Sequence, residues 1–279
     1  MESTSLPEDF AKYRERHERI YVIVSPPRCS STAFARVFWE QPSVRYYYHE
    51  PFETTYYMGE GLPEVIAKLD APLDLTTIKH FSANDNAHEL VIKEMPYQVG
   101  DNFPLLAALA TKPVIFLMRD PRRNIDSRRR KKLEVGDSPL YPFLESGWEL
   151  LAKQIEYCRT HGIDHMLVDS SDFRGRPDAV LPQILERFGL PYSAGCLQWQ
   201  ACEEVELDNL EGAHRHLYGE VLASTGLKPD TSEIPALDSF PVEDGVRNHV
   251  ARCLEIYARL CESEARIRPL TEPALSSLD

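Results

Sequence analysis

The sequence predicts an α/β fold in which an open parallel sheet is flanked by helices. Strand-like apolar runs alternate with helix-like segments along the 279 residues, most of these runs are apolar throughout, and no linker-like stretch divides the chain. Strands without a polar face are typical of a parallel sheet that helices cover on both sides. We predict a single domain over residues 1–279, with an α/β core at 19–190, an irregular cap and acceptor segment at 191–240 and a C-terminal helix at 241–265.

The strands and helices follow from local patterns. Apolar runs predict five strands, at 21–24, 44–52, 90–95, 113–118 and 165–169. Apolar residues at helical spacing predict helices that start at Ser30 or Ser31 and others at 62–70, 103–110, 148–159, 178–189, 214–225 and 242–260. After the fourth strand, Asp120 suits a helix N-cap and Pro121 the first helical position. In such a sheet, ligands bind beyond the carboxyl ends of the strands.

Charge and composition narrow the classes of partner. The formal net charge of −13 argues against nucleic acid or an anionic membrane as the main partner. No apolar run approaches the roughly 18 residues of a membrane span, so we expect a soluble protein of the cytoplasm. The six cysteines form no C-x-x-C pair, which favours reduced thiols over a zinc or redox site. A homodimer is compatible with this composition.

The turn after the first strand, residues 25–32, reads SPPRCSST and leads directly into a helix. A helix start presents free N–H groups and partial positive charge, which together attract an anion. Ser30, Ser31 and Thr32 add hydroxyl donors, and Arg28 adds a forked cation that suits phosphate. The turn lacks the glycines and the lysine of the triphosphate-binding loop of nucleotide hydrolases. A serine-capped turn without a ligand is the plainer interpretation, and the turn by itself leaves both open.

A basic run, RDPRRNIDSRRRKK at 119–132, follows the fourth strand. Eight of its fourteen residues are basic and two are acidic, in a chain that is acidic as a whole. Arg119 leaves the strand toward the ligand side of the sheet, and Ser127 follows eight residues later, about two helical turns on. One interpretation is a solvated helix face. The other is a second anion pocket, and two such pockets after neighbouring strands fit a ligand with two separated phosphates.

The two segments together resemble the nucleotide-binding motifs of sulfotransferases that use 3′-phosphoadenosine 5′-phosphosulfate (PAPS). That family carries a loop of the type Pro-Lys/Arg-Ser-Gly-Ser/Thr-Thr after its first strand, where this chain has Pro-Arg-Cys-Ser-Ser-Thr at 27–32. It also carries an arginine followed by a serine eight residues later. The resemblance is to the bacterial, small-molecule type with a P-loop-like fold, and it covers most of the chain. It implies that the 5′ side is held by Arg28, Cys29, Ser30, Ser31 and Thr32, and the 3′-phosphate by Arg119 and Ser127.

The sequence departs from the family pattern in two places. Cys29 and Ser30 stand where the family has Ser-Gly, which puts the tightness of the 5′ loop in question. The Arg-Lys-Gly segment that many members carry near their end is not obvious, and residues 128–132 or 214–218 are candidates for its role.

The resemblance implies transfer of a sulfuryl group from PAPS, leaving 3′-phosphoadenosine 5′-phosphate (PAP), to a hydroxyl or an amine or amide of a small-molecule metabolite or natural product. No metal is expected. We expect Arg28 and Lys93 to stabilise the negative charge that shifts during sulfuryl transfer. Related enzymes often have a catalytic histidine shortly after this lysine, and here it is missing. We therefore expect the proton acceptor in the segment after the second strand, with Glu50 as first choice and His49 as second. His214 and His216 are further candidates, and because they are two residues apart on a predicted helix they face different directions.

Two alternatives stay open on the sequence alone. The first is a small-molecule kinase-like phosphoryl transferase, which the missing glycines and lysine disfavour. The second is a non-catalytic nucleotide-binding protein. The acceptor pocket is expected from loops at 52–62, 78–90 and 192–240, and their mixed composition names no compound.

Overall fold

The computed structural model describes residues 8–78 and 88–270, and within them six strands form one mixed sheet. In chain order these are β1 (Ile20–Val24), β2 (Val44–His49), β3 (Leu73–Asp74), β4 (Glu89–Glu94), β5 (Val114–Met118) and β6 (His165–Asp169). Their order across the sheet is β3-β2-β4-β1-β5-β6, and neighbours are parallel except that β3 is antiparallel to β2. The five predicted strands are confirmed. The sheet also contains β3 at one edge. This strand was not predicted, because two residues are too few to produce a sequence pattern.

One helix precedes the first strand, others connect the strands, and the last four follow β6. They are α1 (Glu8–Arg16), α2 (Ser31–Trp39), α3 (Glu53–Met58), α4 (Leu62–Leu69), α5 (Pro96–Val99), α6 (Phe103–Leu109), α7 (Pro121–Glu134), α8 (Trp148–Thr160), α9 (Ser170–Gly175), α10 (Pro177–Phe188), α11 (Arg215–Leu222) and α12 (Val246–Cys261). Asp120 caps α7 as predicted, since its carboxylate accepts a hydrogen bond from the Arg122 N–H at 2.9 Å. Helix α12 starts later than predicted, because Asp244 and Gly245 have positive φ angles of 57° and 72°. Most of the predicted acceptor loop at 78–90 lies outside the described residues.

Two apolar layers hold the helices against the sheet, one on each face. Alternate residues of β1 enter different layers, with Val22 and Val24 in one and Tyr21 and Ile23 in the other. Strands β4 and β5 are buried at every position. This is the two-sided burial that strands without a polar face predict. In the described part of the chain, no helix has the length and apolar character needed to cross a bilayer.

The carboxyl ends of the central strands meet at one edge of the sheet. Strand β1 pairs with β4 on one side and with β5 on the other, so that Val24 lies opposite Glu94 and Phe116. Lys93 near the end of β4, the turn after β1, and Arg119 directly after β5 therefore emerge side by side. The sheet order brings the predicted site residues to the same edge, as expected for a ligand site in this class of fold.

Candidate active site

A cavity of about 680 Å³ opens at the carboxyl edge of the sheet. Its walls come from the turns after β1 and β2, the end of β4, helix α7 and the segment around α11. Most of the predicted site residues line it, namely Arg28, Ser30, Ser31, Thr32, His49, Glu50, Lys93 and Arg119. The structure therefore gathers residues from four separate stretches of sequence into one space of a size typical of ligand pockets.

The turn after β1 has an unusual backbone conformation. Arg28 and Ser30 have positive φ angles of 62° and 61°, in the left-handed region that glycine adopts most easily. Ser30 takes the N-cap position of α2, but its hydroxyl accepts a hydrogen bond from Arg174 at 3.0 Å instead of capping the helix. Cys29 is buried with its Sγ 3.8 Å from the Pro27 carbonyl oxygen, so only its backbone can face a ligand. Burial raises the pKa of the Cys29 thiol to about 12.

The two predicted anion-binding segments converge on each other. Arg119 Nη1 donates to the carbonyl oxygen of Arg28 at 3.1 Å, and Arg28 Nε donates to Ser127 Oγ at 3.2 Å. Arg28 also donates to the backbone carbonyl of Leu217 in α11. Burial lowers the pKa of the Arg28 guanidinium. The two arginines lie on the same side of the sheet edge, as a ligand with two phosphates requires, and Ser127 steadies Arg28 from behind.

Asp230 occupies a notch between Arg119 and Arg123, which we call the arginine notch. Its Oδ2 accepts hydrogen bonds from Arg119 Nη2 at 2.6 Å, Arg119 Nε at 3.1 Å and Arg123 Nη1 at 3.0 Å. Burial raises the pKa of Asp230, but hydrogen bonds from Ser232 and the charge of Arg119 outweigh burial and lower it to about 2. The Asp230 carboxylate is thus an internal anion that both arginines hold in the notch.

Arg174, in α9, is a cavity residue that the sequence analysis did not single out. Besides its bond to Ser30, its Nε donates to the backbone carbonyl of Lys228 at 2.8 Å. It therefore ties the turn after β1 to the segment that carries Asp230. Only its position in the sequence could have indicated Arg174 as a site residue. It follows closely after the fifth predicted strand and so lies at the same edge of the sheet as Arg28.

A buried ionic cluster forms the floor of the cavity. Lys93 Nζ donates to Glu50 Oε1, which also lies 3.1 Å from His49 Nε2. Gln98 Nε2 donates to Glu50 Oε2 at 2.7 Å. Burial raises the pKa of Glu50, but the charges of Lys93 and His49 and their hydrogen bonds outweigh burial and hold the pKa well below its usual range. The strand register explains the cluster, since His49 of β2 is the direct partner of Lys93 of β4.

A second ionic pair lies on the wall beside this cluster. His214 Nδ1 is 2.6 Å from Oε1 of Glu53, whose side chain is fully buried at the start of α3. The backbone N–H of Asn209 donates to Glu53 Oε2 at 2.7 Å. The Asn209 amide group also donates to the carbonyl oxygens of His49 at 3.2 Å and Glu50 at 3.1 Å. These bonds fix the segment before α11 onto the turn after β2, and neither Glu53 nor Asn209 was anticipated from sequence.

The remaining wall is aromatic. Arg128 Cζ lies 4.3 Å from the centroid of the Tyr141 ring and 5.7 Å from that of Tyr97, and Arg128 Nη1 donates to the Glu145 carbonyl oxygen at 2.6 Å. Tyr57 completes this aromatic wall, with its hydroxyl 3.0 Å from that of Tyr97. The basic run after β5 is therefore divided. Its start forms the arginine notch, and Arg128, one of the candidates for the missing Arg-Lys-Gly segment, faces aromatic rings instead.

The donor set of the cavity suits a nucleotide that carries separated phosphates. Guanidinium groups, hydroxyls and a helix start surround the space after β1, and charge-assisted hydrogen bonds of this kind are the strong ones for phosphate. Within residues 8–78 and 88–270, no group of three or more His, Cys, Asp or Glu side chains is placed to hold a metal ion. Fold and site together describe an α/β protein with a mostly parallel sheet, whose carboxyl edge carries a cavity lined by arginine and serine.

Comparison with known proteins narrows this class. The chain belongs to the sulfotransferase family, since the family model described as a sulfotransferase domain matches residues 19–248. The protein is therefore an enzyme that transfers a sulfuryl group, and the family implies PAPS as donor and PAP as product. This is the function that the resemblance implied, rather than the kinase-like or the non-catalytic alternative. A comparison with curated proteins gives no significant match.

Solved structures of sulfotransferases are similar to this chain at low sequence identity. The sulfotransferase domain from the Synechococcus PCC 7002 olefin synthase is 16% identical, with a TM-score of 0.50 over 86% of this chain and 94% of that chain. The sulfotransferase domain from the curacin biosynthetic pathway is 15% identical, with a TM-score of 0.47 over 88% and 98%. Mouse sulfotransferase SULT7A1 complexed with PAP is 10% identical, with a TM-score of 0.48 over 98% and 95%. The first of these supports the α/β sulfotransferase architecture.

Proposed function

We propose that the protein uses PAPS to sulfate a hydroxyl or an amine or amide of a small-molecule metabolite or natural product. One observation carries the proposal. Arg119 donates a hydrogen bond to the backbone carbonyl of Arg28, and both residues line a cavity that also contains Lys93 and the aromatic wall. A nucleotide bound along the sheet edge would leave its sulfuryl group beside Lys93 and the acceptor beside the tyrosines.

The nucleotide would be held by the two segments that the sequence identified. The 5′ side would be held by the start of α2, with Arg28, the backbone N–H of Cys29 and the hydroxyls of Ser30, Ser31 and Thr32. The 3′-phosphate would enter the arginine notch and take the place of the Asp230 carboxylate, because both anions need the same donors. Ser127, which the resemblance also assigns to the 3′-phosphate, would bind it with the hydroxyl that now accepts a hydrogen bond from Arg28 at 3.2 Å.

Lys93 and Arg28 are proposed to stabilise the charge that shifts during transfer. When bound, PAPS supplies a sulfuryl group on a phosphate leaving group. Lys93 lies at the floor of a partly closed cavity, where a fixed positive charge has more effect than in water. The Glu50 carboxylate holds the Lys93 ammonium in that position. A proton acceptor is also required, and its identity is taken up below.

A cytoplasmic site of action and a small-molecule acceptor complete the proposal. All six cysteines are free thiols, which supports a reducing compartment. The net charge of −13 argues against nucleic acid and anionic membranes as partners. The cavity, its notch and its aromatic wall are formed by one chain, so the proposed chemistry does not depend on whether a homodimer forms.

Transfer of ³⁵S from labelled PAPS to a panel of phenols, aliphatic alcohols and amines tests this function. We expect label in at least one organic product and PAP as the other product. Parallel reactions with γ-labelled ATP and Mg²⁺ test the kinase-like alternative, for which label would move from ATP instead. Tight PAP binding without transfer to any member of the panel or to water would support the non-catalytic alternative.

A further inference from the structure

Several groups on the cavity wall could accept a proton, and we compare the hydrogen bonds of three that lie near the end of β2 or face it across the cavity wall. They are Glu50, His49 and His214. Both oxygens of Glu50 are occupied, Oε1 by Lys93 and His49 and Oε2 by Gln98, and its side chain is only 4% exposed. A carboxylate stabilised by an ammonium and two further donors is a weak proton acceptor, because all three favour its charged form.

Both ring nitrogens of His49 also have partners already. Its Nδ1 is 2.6 Å from the Tyr47 hydroxyl and its Nε2 is 3.1 Å from Glu50. Its side chain is 5% exposed, so a proton could reach it only by breaking a buried hydrogen bond. Loss of such a bond carries the full cost of leaving a buried polar group unpaired.

His214 has the arrangement that general bases commonly show. Its Nδ1 faces the Glu53 carboxylate, which only accepts hydrogen bonds when ionised, so Nδ1 carries the hydrogen and Nε2 keeps its lone pair. Its side chain is 24% exposed and lies on the cavity wall, with its ring packed edge-on against Tyr57 at 5.1 Å. A buried carboxylate behind a histidine fixes both the tautomer and the orientation of the ring.

We propose that His214, oriented by Glu53, is the general base, and that Glu50 is a positioning residue that holds Lys93. This inference rests on the proposed sulfuryl transfer. In the step, the acceptor oxygen or nitrogen forms a bond to sulfur and its proton moves to His214 Nε2. The bond between sulfur and the 5′-phosphate oxygen breaks, and its electron pair leaves with that oxygen.

The electrostatic surroundings of His214 suit this role. Burial lowers the pKa of His214, but the Glu53 hydrogen bond and the charges of Glu53, Glu50 and Asp208 outweigh burial, and the net pKa lies above its ordinary value of 6.5. These groups face the ring from α3, from the turn after β2 and from the segment before α11. His216, in the first turn of α11, is the neighbouring histidine. A base must be neutral to act, so turnover should rise with pH through the pKa of His214 and then level off. Glu50, with its low pKa, would give a flat profile above pH ~5.

Histidine ring NMR without nucleotide tests the pair independently of activity. The His214 signal is assigned by its absence in His214→Gln and followed against pH in wild type and in Glu53→Gln. We expect a wild-type midpoint above 6.5 and a lower midpoint in Glu53→Gln, because the neutral amide removes the charge behind the ring. A His214 midpoint that Glu53→Gln does not change would overturn the pairing.

Kinetics then separate His214 from Glu50. Sulfate release from PAPS to water and transfer to 2-naphthol are measured from pH 5 to 9. We expect His214→Gln to slow both by about 100- to 10,000-fold and to abolish the rise with pH, while PAP affinity stays within about threefold of wild type. Glu50→Gln should slow turnover but keep the rise, and Glu53→Gln should move the rise to lower pH. His161→Gln, at the exposed end of α8, is the matched histidine control.

The outcomes distinguish this inference from the proposed function. Wild-type protein that neither binds PAP nor releases sulfate contradicts both. Wild-type turnover that His214→Gln retains, or a pH-dependent rise that disappears in Glu50→Gln instead, overturns the His214 assignment and leaves sulfuryl transfer standing.

Discussion

The nucleotide end and the proton-transfer end of the cavity are built in different ways. At the nucleotide end, Arg119 directly follows β5 and Arg28 lies in the turn after β1, so the ends of two neighbouring strands bring both to one edge of the sheet. At the proton-transfer end, Glu53 meets His214 across 161 residues of sequence. The first end is fixed by the order of strands, and the second depends on how a long cap segment folds back onto the sheet.

The two ends therefore assign the two proposed tasks, nucleotide binding and proton transfer from the acceptor, to different parts of the chain. The ends of neighbouring strands and the start of α2 bring together the groups proposed to bind the nucleotide. The cap segment contributes Asp230 to the arginine notch and His214, the proposed base, to the cavity wall. Four substitutions probe the two ends, from the largest expected effect to the smallest.

Lys93→Met tests the floor of the cavity, where the two ends meet. We expect turnover to fall by about 100- to 1,000-fold, because a fixed charge next to the transferred group is lost. The free energy of unfolding should fall by about 3 kcal/mol, since Glu50 then carries an uncompensated buried charge. Sulfate release and urea unfolding measure the two effects.

Two variants control this result. Lys153→Met, on the exposed side of α8, should change neither quantity. The double variant Glu50→Gln with Lys93→Met should regain much of the lost stability but none of the turnover, because only the buried charge is removed. Recovery of turnover in the double variant would contradict a role of Lys93 in transfer.

Arg119→Ala tests the nucleotide end. A charge-assisted contact is typically worth about 1.5–3 kcal/mol, so PAP affinity should fall by about 10- to 100-fold. Affinity for AMP, which lacks the 3′-phosphate, should change little. Arg130→Ala in the same helix is the control, because that side chain is 59% exposed and pairs with Asp126. Equal losses for PAP and AMP would place Arg119 outside the 3′-phosphate site.

Asp230→Asn tests whether the cap segment competes with the nucleotide for the arginine notch. The carboxylate and a 3′-phosphate need the same hydrogen-bond donors on Arg119, so removing the negative charge should raise PAP affinity by about threefold to tenfold. AMP affinity should not change. Calorimetric titration of both nucleotides measures this. A drop in PAP affinity would mean that Asp230 organises the arginines instead of competing for them.

Ser30→Gly has the smallest expected effect. Relief of the positive φ of 61° is worth about 1–2 kcal/mol, which the lost hydrogen bond to Arg174 and the greater freedom of the unfolded chain should largely cancel. The free energy of unfolding should therefore stay within about 0.5 kcal/mol of wild type. Ser31→Gly, in the first turn of α2, has no strain to relieve and should cost about 0.5–1 kcal/mol. Equal losses at both positions would argue against strain at Ser30.

Sequence reasoning predicted most of the fold, and it named residues that the fold brings to one edge of the sheet, for a physical reason. Buried parallel strands are apolar throughout, so their ends are visible in the sequence, and the residue after each end is confined to one edge of the sheet. Arg28 and Arg119 could be named on that basis. Strand β3 could not, since two residues give no periodicity, and neither could Arg174, which follows β6 without a recognisable motif.

The proton-transfer end was less accessible because it depends on contacts distant in sequence. His214 meets Glu53 across 161 residues, and Asn209 meets Glu53 across 156. Nothing local in the sequence around Glu53 distinguishes it from a surface glutamate, although the side chain is fully buried. The assignment of Glu50 as base rested on its position after β2, and its bonds to Lys93 and Gln98 became visible only in the folded chain.

Calorimetric titration of the wild-type protein with PAP, AMP and ATP plus Mg²⁺ tests the central claim most directly. If one cavity holds both phosphates through Arg28 and Arg119, one PAP should bind per chain, at least tenfold more tightly than AMP or ATP. PAP affinity no greater than that of AMP would contradict it.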